Sequence, residues 1–356
     1  MSEKVLMKGN EALAEAAIRA NCRFFFGYPI TPQTELAAYM AKKMPQVGGL
    51  FLQAESEIAA INMVYGASGA GARVMTSSSS PGISLKSEGI SYIAASDLPC
   101  VIVNIVRGGP GLGGIQPAQS DYFQATKGGG HGDYHLIVLA PASVQEIVSL
   151  MTEAFNIADR YRVPVMIMGD GMLGQMMEPV TFDEIPPIPD DLPEKSWATT
   201  GTHMKRKKNI INSLYLTPED LENLVLERDK KYQLITQKET RSESYMIDDA
   251  DFVFVAYGTT ARIVKSAIST LRKEGHKVGL IRPITLYPFP SDIIRETSKK
   301  VKGMMSVEMS MGQMVDDVRL AAAGNCPVDF YGRTGGMVPS PDEIIAKYKE
   351  IAGGER

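Results

Sequence analysis

The sequence predicts an α/β protein in which a doubly wound parallel-sheet domain is followed by a second α/β domain. Three observations predict it. Through residues 1–185, short apolar runs of strand length alternate with longer amphipathic or small-residue runs of helix length. The run Cys100–Val106 is apolar almost throughout, as expected of a strand covered on both faces. A second alternation begins at Asp251, after a proline-rich and charged stretch.

In order, residues 10–20 read as a helix, Phe24–Gly27 as a strand and 32–44 as a helix. Pro32 suits a first helical position, where its missing amide would have no partner, and this makes Thr31 the N-cap. Residues 49–53 form a strand. Residues 58–71 carry no charge and are rich in Ala and Gly, which suits a helix buried against a close neighbour. A strand at 74–76, a helix at 82–95, the strand Cys100–Val106, a strand at 138–139, the helix Val144–Tyr161 and a strand at 165–168 complete the first unit, with right-handed crossovers as the default. The predicted domains are 1–185, a linker and helical segment at 186–248, and 249–356.

The linker opens with the proline-rich run 185–193. Lys205-Arg206-Lys207-Lys208 reads as a solvated surface, and Thr217-Pro218-Glu219-Asp220 starts a helix with cap, proline and acidic first turn in place. Beyond it come a strand at 252–256, a turn at 258–260 where Thr259 and Thr260 read as helix caps, and a helix at 261–273. A strand at 278–281, the helix Ser291–Ser298, a strand at 304–307, a Gly335-Gly336 turn and a helix at 341–351 follow.

Composition excludes several functions. With 356 residues, 44% hydrophobic, 22% charged and a net charge of −4, the chain has neither a basic patch for nucleic acid nor a polybasic membrane anchor. No stretch is long and apolar enough to span a bilayer, and the N-terminal Gly9-Asn10-Glu11-Ala12 helix lacks the apolar core of a signal peptide. Cys22, Cys100 and Cys326 stand far apart beside apolar or small residues, so they read as reduced thiols of a cytoplasmic protein with no zinc or iron-sulfur spacing.

Candidate chemistry gathers where predicted strands give way to helices, at the edge where open α/β sheets bind ligands. Gly27-Tyr28-Pro29-Ile30-Thr31-Pro32 follows the first strand, Gln53-Ala54-Glu55-Ser56-Glu57 the second, and Thr76 to Gly82 the third. A cap hydroxyl such as Thr31 can also face an anion. Glu55 and Glu57 at the mouth of an uncharged helix either complement its positive end or, partly desolvated, share a proton with a bound base.

These motifs, together with Asn104-Ile105-Val106-Arg107-Gly108-Gly109-Pro110-Gly111, resemble the α subunit of 2-oxoacid:ferredoxin oxidoreductases, closest to the 2-ketoisovalerate (3-methyl-2-oxobutanoate) type. The resemblance is close over residues 5–180 and looser over 250–345, and near Gly201-Thr202-His203 the chain departs from the family pattern. It implies a thiamine diphosphate (pyrimidine-type) domain followed by a transketolase C-terminal-like domain. It also implies that Glu57 hydrogen-bonds the cofactor's aminopyrimidine and drives loss of the thiazolium C2 proton, while Tyr28, Pro29 and Ile30 line the cofactor. Thr31 and Arg107 would face the 2-oxo acid, a guanidinium suiting a carboxylate. The cofactor would be shared with a β subunit that supplies Mg²⁺ and the diphosphate site. A γ subunit and a ferredoxin-like subunit would complete the complex, with 4Fe-4S clusters in the partners, CoA as co-substrate and ferredoxin as acceptor. The reaction implied is oxidative decarboxylation to acyl-CoA and CO₂, with 2-oxoglutarate and pyruvate as alternative substrates.

Other signals read as decoys. Gly169-Asp170-Gly171 begins like a diphosphate–Mg²⁺ motif, but no Asn follows until Asn209. Gly109 to Gly114 fits G-x-G-x-x-G, yet Pro110 sits in the turn and no helix opens before Asp121. His131 and His135 have a zinc-like spacing among helix-breaking glycines. Ser77 to Ser80 lack a nucleophile elbow and read as helix caps. Rival functions are a non-catalytic scaffold subunit and a self-contained dinucleotide enzyme.

Overall fold

The computed structural model describes residues 4–183 and 188–354. The opening residues of the expected 185–193 linker, 185–187, lie outside the described residues. The first half contains β1 (Val5–Lys8), α1 (Gly9–Arg19), β2 (Phe24–Gly27), α2 (Thr34–Lys43), β3 (Leu50–Gln53), α3 (Glu57–Gly69), β4 (Val74–Ser78) and α4 (Ser80–Ala95). It continues with β5 (Cys100–Val106), α5 (Tyr122–Thr126), β6 (Ile137–Leu139), α6 (Val144–Tyr161), β7 (Pro164–Asp170), α7 (Gly171–Gln175) and β8 (Met177–Val180). The second half has α8 (Pro218–Glu239), β9 (Ser242–Tyr245), β10 (Phe252–Val255), α9 (Gly258–Lys273), β11 (Val278–Pro283), β12 (Thr285–Tyr287), α10 (Ser291–Ser298), β13 (Gly303–Glu308), α11 (Met314–Ala322), β14 (Val328–Gly332) and α12 (Pro341–Ala352).

Seven strands form the first sheet in the order β12-β6-β7-β5-β4-β2-β3. All but β12 run parallel, and β4, β5 and β7 are buried at every residue, as the apolar runs predict. The second sheet has the order β14-β13-β10-β11-β9, with β9 as the antiparallel edge. Antiparallel pairing of β1 with β8 ties the two ends of the first half together.

The halves are not separate globules. β12, from the second half, completes the first sheet by pairing antiparallel with β6. One apolar core runs from Ile83, Ile90 and Tyr122 into Val253, Tyr257 and Met304.

Several expected element starts shift. α2 begins at Thr34, not Pro32, and its N-cap position falls on Gln33, so Thr31 is not the cap. The Pro32 carbonyl is occupied instead by side chains, accepting from Asn10 Nδ2 at 2.8 Å and Gln175 Nε2 at 3.2 Å. The caps assigned to Thr259 and Thr260 also fail. Tyr257 holds the N-cap position of α9, and Thr260 Oγ1 donates to Gln119 Oε1 at 2.7 Å across the junction of the halves.

Candidate active site

The strand order reverses between β2 and β4, because the chain passes from β2 outward to β3 and then crosses back to β4. The loops after these two strands flank that switch point, where open parallel sheets leave a crevice. Gln33, fully buried, bridges them: its Oε1 accepts from Ser77 Oγ at 2.5 Å. Tyr28, Pro29 and Thr31 are exposed and Ile30 is half-buried, so the loop presents its outer face to solvent.

Glu57 is the first residue of α3, behind Ser56, whose hydroxyl accepts from the Ala59 amide at 3.2 Å and caps the helix. Glu57 is 6% exposed, and among the described residues no donor lies within hydrogen-bonding distance of its carboxylate. It packs on α4 at a glycine: a Cβ on Gly82 would stand 2.7 Å from Glu57 Oε1 and 2.0 Å from Ser78 Oγ. The buried hydroxyls of Ser78, at the same cradle, and of its neighbour Ser79 have no partner among the described residues. The capping assigned to the serine run therefore fails. Ser79 holds the N-cap position of α4 without a side-chain cap, Ser77 serves Gln33, and Ser80 Oγ bonds the Arg107 backbone at 3.1 and 3.3 Å. A nearly buried carboxylate and two orphaned hydroxyls around a glycine cradle form a place for a polar molecule, because buried polar groups otherwise find partners within the fold.

Arg107 directly follows β5 and is 7% exposed. Its Nη1 donates to the Thr31 carbonyl at 2.9 Å and its Nη2 to the Leu112 carbonyl at 3.0 Å, while Nε is buried without a partner among the described residues. The structure thus joins Arg107 to Thr31 through that residue's carbonyl. A cleft of about 650 Å³ opens beside Thr31, lined by Ile115, Met172, Met176 and Val338 among others.

The glycine-rich loop after Arg107 closes on itself, with the Gly114 amide donating to the Gly108 carbonyl at 2.8 Å. At Gly113, which has φ +56°, a Cβ would fall 1.9 Å from that carbonyl oxygen. The next helix starts only at Tyr122, so no helix terminus is offered to a dinucleotide phosphate. Asp170 is consumed by its own helix, accepting from the Met172 and Leu173 amides at 2.9 and 3.1 Å, and burial pushes its carboxyl above the usual range. Asn209 donates to the Ser196 and Ala198 carbonyls. His135 stacks on Tyr287 with ring centroids 4.2 Å apart, and burial lowers its pKa. Among the described residues, no group of three or more His, Cys, Asp or Glu could hold a metal ion. The three cysteines are free and buried, and burial pushes the Cys22 and Cys100 thiols up to about 12.

Two important residues escape a reading of the sequence. Gln119, 2% exposed, joins the halves: its Nε2 donates to the Tyr257 carbonyl at 3.0 Å and its Oε1 accepts from the Met309 amide at 3.0 Å. No local pattern announces it. Lys86 is fully buried, with Nζ donating to Thr76 Oγ1 at 2.7 Å. A sequence signal does exist for Lys86, because Gly82, Lys86 and Gly89 share one helix stripe.

Fold and site together define a two-domain α/β protein that keeps a polar binding place at the switch point of its larger sheet. The model of the thiamine diphosphate-binding domain of pyruvate flavodoxin/ferredoxin oxidoreductases matches residues 15–248, and the model of pyruvate:ferredoxin oxidoreductase core domain II matches residues 250–344. The ketoisovalerate oxidoreductase subunit VorB of Methanothermobacter thermautotrophicus is 49% identical over 98% of both chains. A solved 2-oxoglutarate:ferredoxin oxidoreductase from Magnetococcus marinus, with 2-oxoglutarate, coenzyme A and succinyl-CoA bound, is 30% identical and superposes with a TM-score of 0.89. That match covers 98% of this chain and 65% of the other. A split-gene transketolase, 13% identical with a TM-score of 0.61 over 98% of this chain and 99% of its own, shares the fold alone. The chain belongs to the 2-oxoacid:ferredoxin oxidoreductase family, whose members are oxidoreductase subunits. No helix among the described residues is long and apolar enough to cross a membrane.

Proposed function

We propose that this chain is the α subunit of a cytoplasmic, thiamine-diphosphate-dependent complex that oxidatively decarboxylates 3-methyl-2-oxobutanoate with CoA and passes the electrons to ferredoxin. The carrying observation is the Glu57 carboxylate, almost buried yet without a donor among the described residues. That carboxylate, the Gly82 cradle and the free Ser78 and Ser79 hydroxyls fit an aminopyrimidine, which offers both donors and acceptors. When bound, thiamine diphosphate supplies the carbon nucleophile and the electron sink for decarboxylation. Glu57 holds a proton at the pyrimidine nitrogen, a task favoured by exclusion of water. Tyr28, Pro29 and Ile30 form the outer wall of the same crevice. Arg107 fixes the loop that carries Thr31, leaves the Thr31 hydroxyl free to meet the 2-oxo acid, and adds positive charge for its carboxylate.

Gly169-Asp170-Gly171 holds no diphosphate, because Asp170 caps its own helix. We therefore assign Mg²⁺ and the diphosphate site to a β subunit, and the 4Fe-4S clusters to γ and ferredoxin-like subunits. The cleft beside Thr31 is walled by Ile115, Met172, Met176 and Val338, with the neutral amides of Gln116 and Gln175 and no cationic side chain among its lining residues, which suits a branched alkyl group better than a second carboxylate. The assembled complex is to be assayed with CoA and ferredoxin on 3-methyl-2-oxobutanoate, 2-oxoglutarate and pyruvate. The branched acid should give the highest kcat/KM. A preference for 2-oxoglutarate overturns the substrate assignment, and failure to bind thiamine diphosphate overturns the class of chemistry.

A further inference from the structure

Lys86 is a fully buried lysine on the stripe of α4 that faces α3. Gly82, Lys86 and Gly89 stand at i, i+4 and i+7 on that stripe. At Gly82 a Cβ would come 2.7 Å from Glu57 Oε1, and at Gly89 one would come 2.5 Å from Ile61 Cγ2. Glu57 and Ile61 are themselves one turn apart on α3. The two helices therefore touch on either side of Lys86 and clamp its stem between the contacts.

The amine reaches down to the sheet, where Thr76 Oγ1 accepts from it at 2.7 Å. Thr76 shares a face of β4 with Ser78, the residue beside Glu57 at Gly82. Among the described residues, no carboxylate lies within ion-pairing distance of Nζ, and Glu57 is the charge that acts on it from beyond that distance. Burial pushes the amine down to about 8, and the Glu57 charge opposes that fall. A buried cation with one neutral acceptor is costly to the fold, and nothing in the packing of α3 on α4 requires it.

We propose that Lys86 is a positioning residue for Glu57: a buried cation, one helical turn from the Glu57 contact, that holds the carboxylate in place to meet the donor it awaits. The proposal rests on the reading of Glu57 given above. It makes Lys86 part of the electrostatic setting of the site and not a group that touches cofactor or substrate.

The test begins without cofactor, on the full chain labelled with ¹³C at the lysine Cε atoms and followed by NMR across pH. The Lys86 signal, assigned through its loss in Lys86→Met, should titrate below the other lysines. In Glu57→Gln it should titrate lower still, by about half a pH unit or more, since an attractive charge has been removed. Coupling is reciprocal, so the acid limb of the kcat/KM profile of the Lys86→Met complex should move to higher pH by a similar amount, with Lys86→Arg restoring it. A Lys86 midpoint unchanged in Glu57→Gln overturns the proposal, as does an acid limb that stays in place in a folded Lys86→Met complex. Turnover by the Glu57→Gln complex is the separate check: a normal rate there overturns the role of Glu57, whatever the Lys86 titration shows.

Discussion

Two buried glutamates stand at strand–helix junctions of this chain, and their surroundings are opposites. Glu308, fully buried at the end of β13, is saturated by the protein. It accepts from Ser306 Oγ and Ser310 Oγ at 2.9 Å and from the amides of Gln313, Met314 and Val315 at 2.9–3.0 Å. It thereby caps α11 and anchors the loop before it. Glu57 is nearly as buried, opens the helix that follows a strand, and receives no donor among the described residues. Burial alone thus does not mark a functional carboxylate. The distinguishing feature is a nearly buried carboxylate to which, among the described residues, the fold gives no donor, since buried acceptors otherwise find partners within the protein.

The contrast can be broken from either end. The largest expected effect is on turnover: Glu57→Gln in the assembled complex should lower kcat by about 10²- to 10⁴-fold, with an unchanged melting profile. Near-normal turnover would make Glu57 a structural residue like Glu308. The converse change, Glu308→Ala, strands three amides and two hydroxyls and should destabilise the chain by about 3–5 kcal/mol, while turnover per folded molecule survives. Chemical denaturation measures this, and a loss below about 1 kcal/mol would mean that water replaces the carboxylate.

Lys86 sharpens the contrast through pH. Its folded amine is pushed down to about 8 from 10.5 by burial, so between those values the unfolded chain binds more protons than the folded one. Measured against Lys86→Met, wild-type stability should therefore climb as pH rises through that window and be level below it. Relative to Lys86→Met, the gain should be about 3 kcal/mol. A flat difference across the window would show that the amine is not desolvated. The smallest effect is expected at Arg107, for which we propose a role on substrate by way of Thr31. Arg107→Ala should raise KM for the 2-oxo acid by about tenfold, roughly 1.4 kcal/mol, with assembly intact, and an unchanged KM would remove Arg107 from the site.

Much of this was legible without coordinates. The alternation of apolar runs placed β2, β5, α6 and α10 at the residues where they occur, because their periodicity is written in neighbouring side chains. The loops after β2 and β4 and the start of α3 stood out by composition and by resemblance to one family, which the matches over residues 15–248 and 250–344 bear out. The caps were misjudged at Thr31, at Ser77 to Ser80 and at Thr259 and Thr260. In each case a hydroxyl or carbonyl that composition assigns to the nearest helix is claimed by, or left open to, something more distant. The short helices α5 and α7 carry too few residues to show a period.

By itself, then, the sequence determined the α/β class, the strands of the sheet interior and the segments that follow the strands flanking its switch point. Only the tertiary structure decided that β12 crosses over to finish the first sheet, that Gln119 locks residues 257, 260 and 309 together, and that Lys86 is sealed between α3 and α4. The reason is physical. A period of two or 3.6 residues is carried by adjacent side chains, whereas the satisfaction of a buried polar group depends on partners tens to nearly two hundred positions away, which no local pattern records.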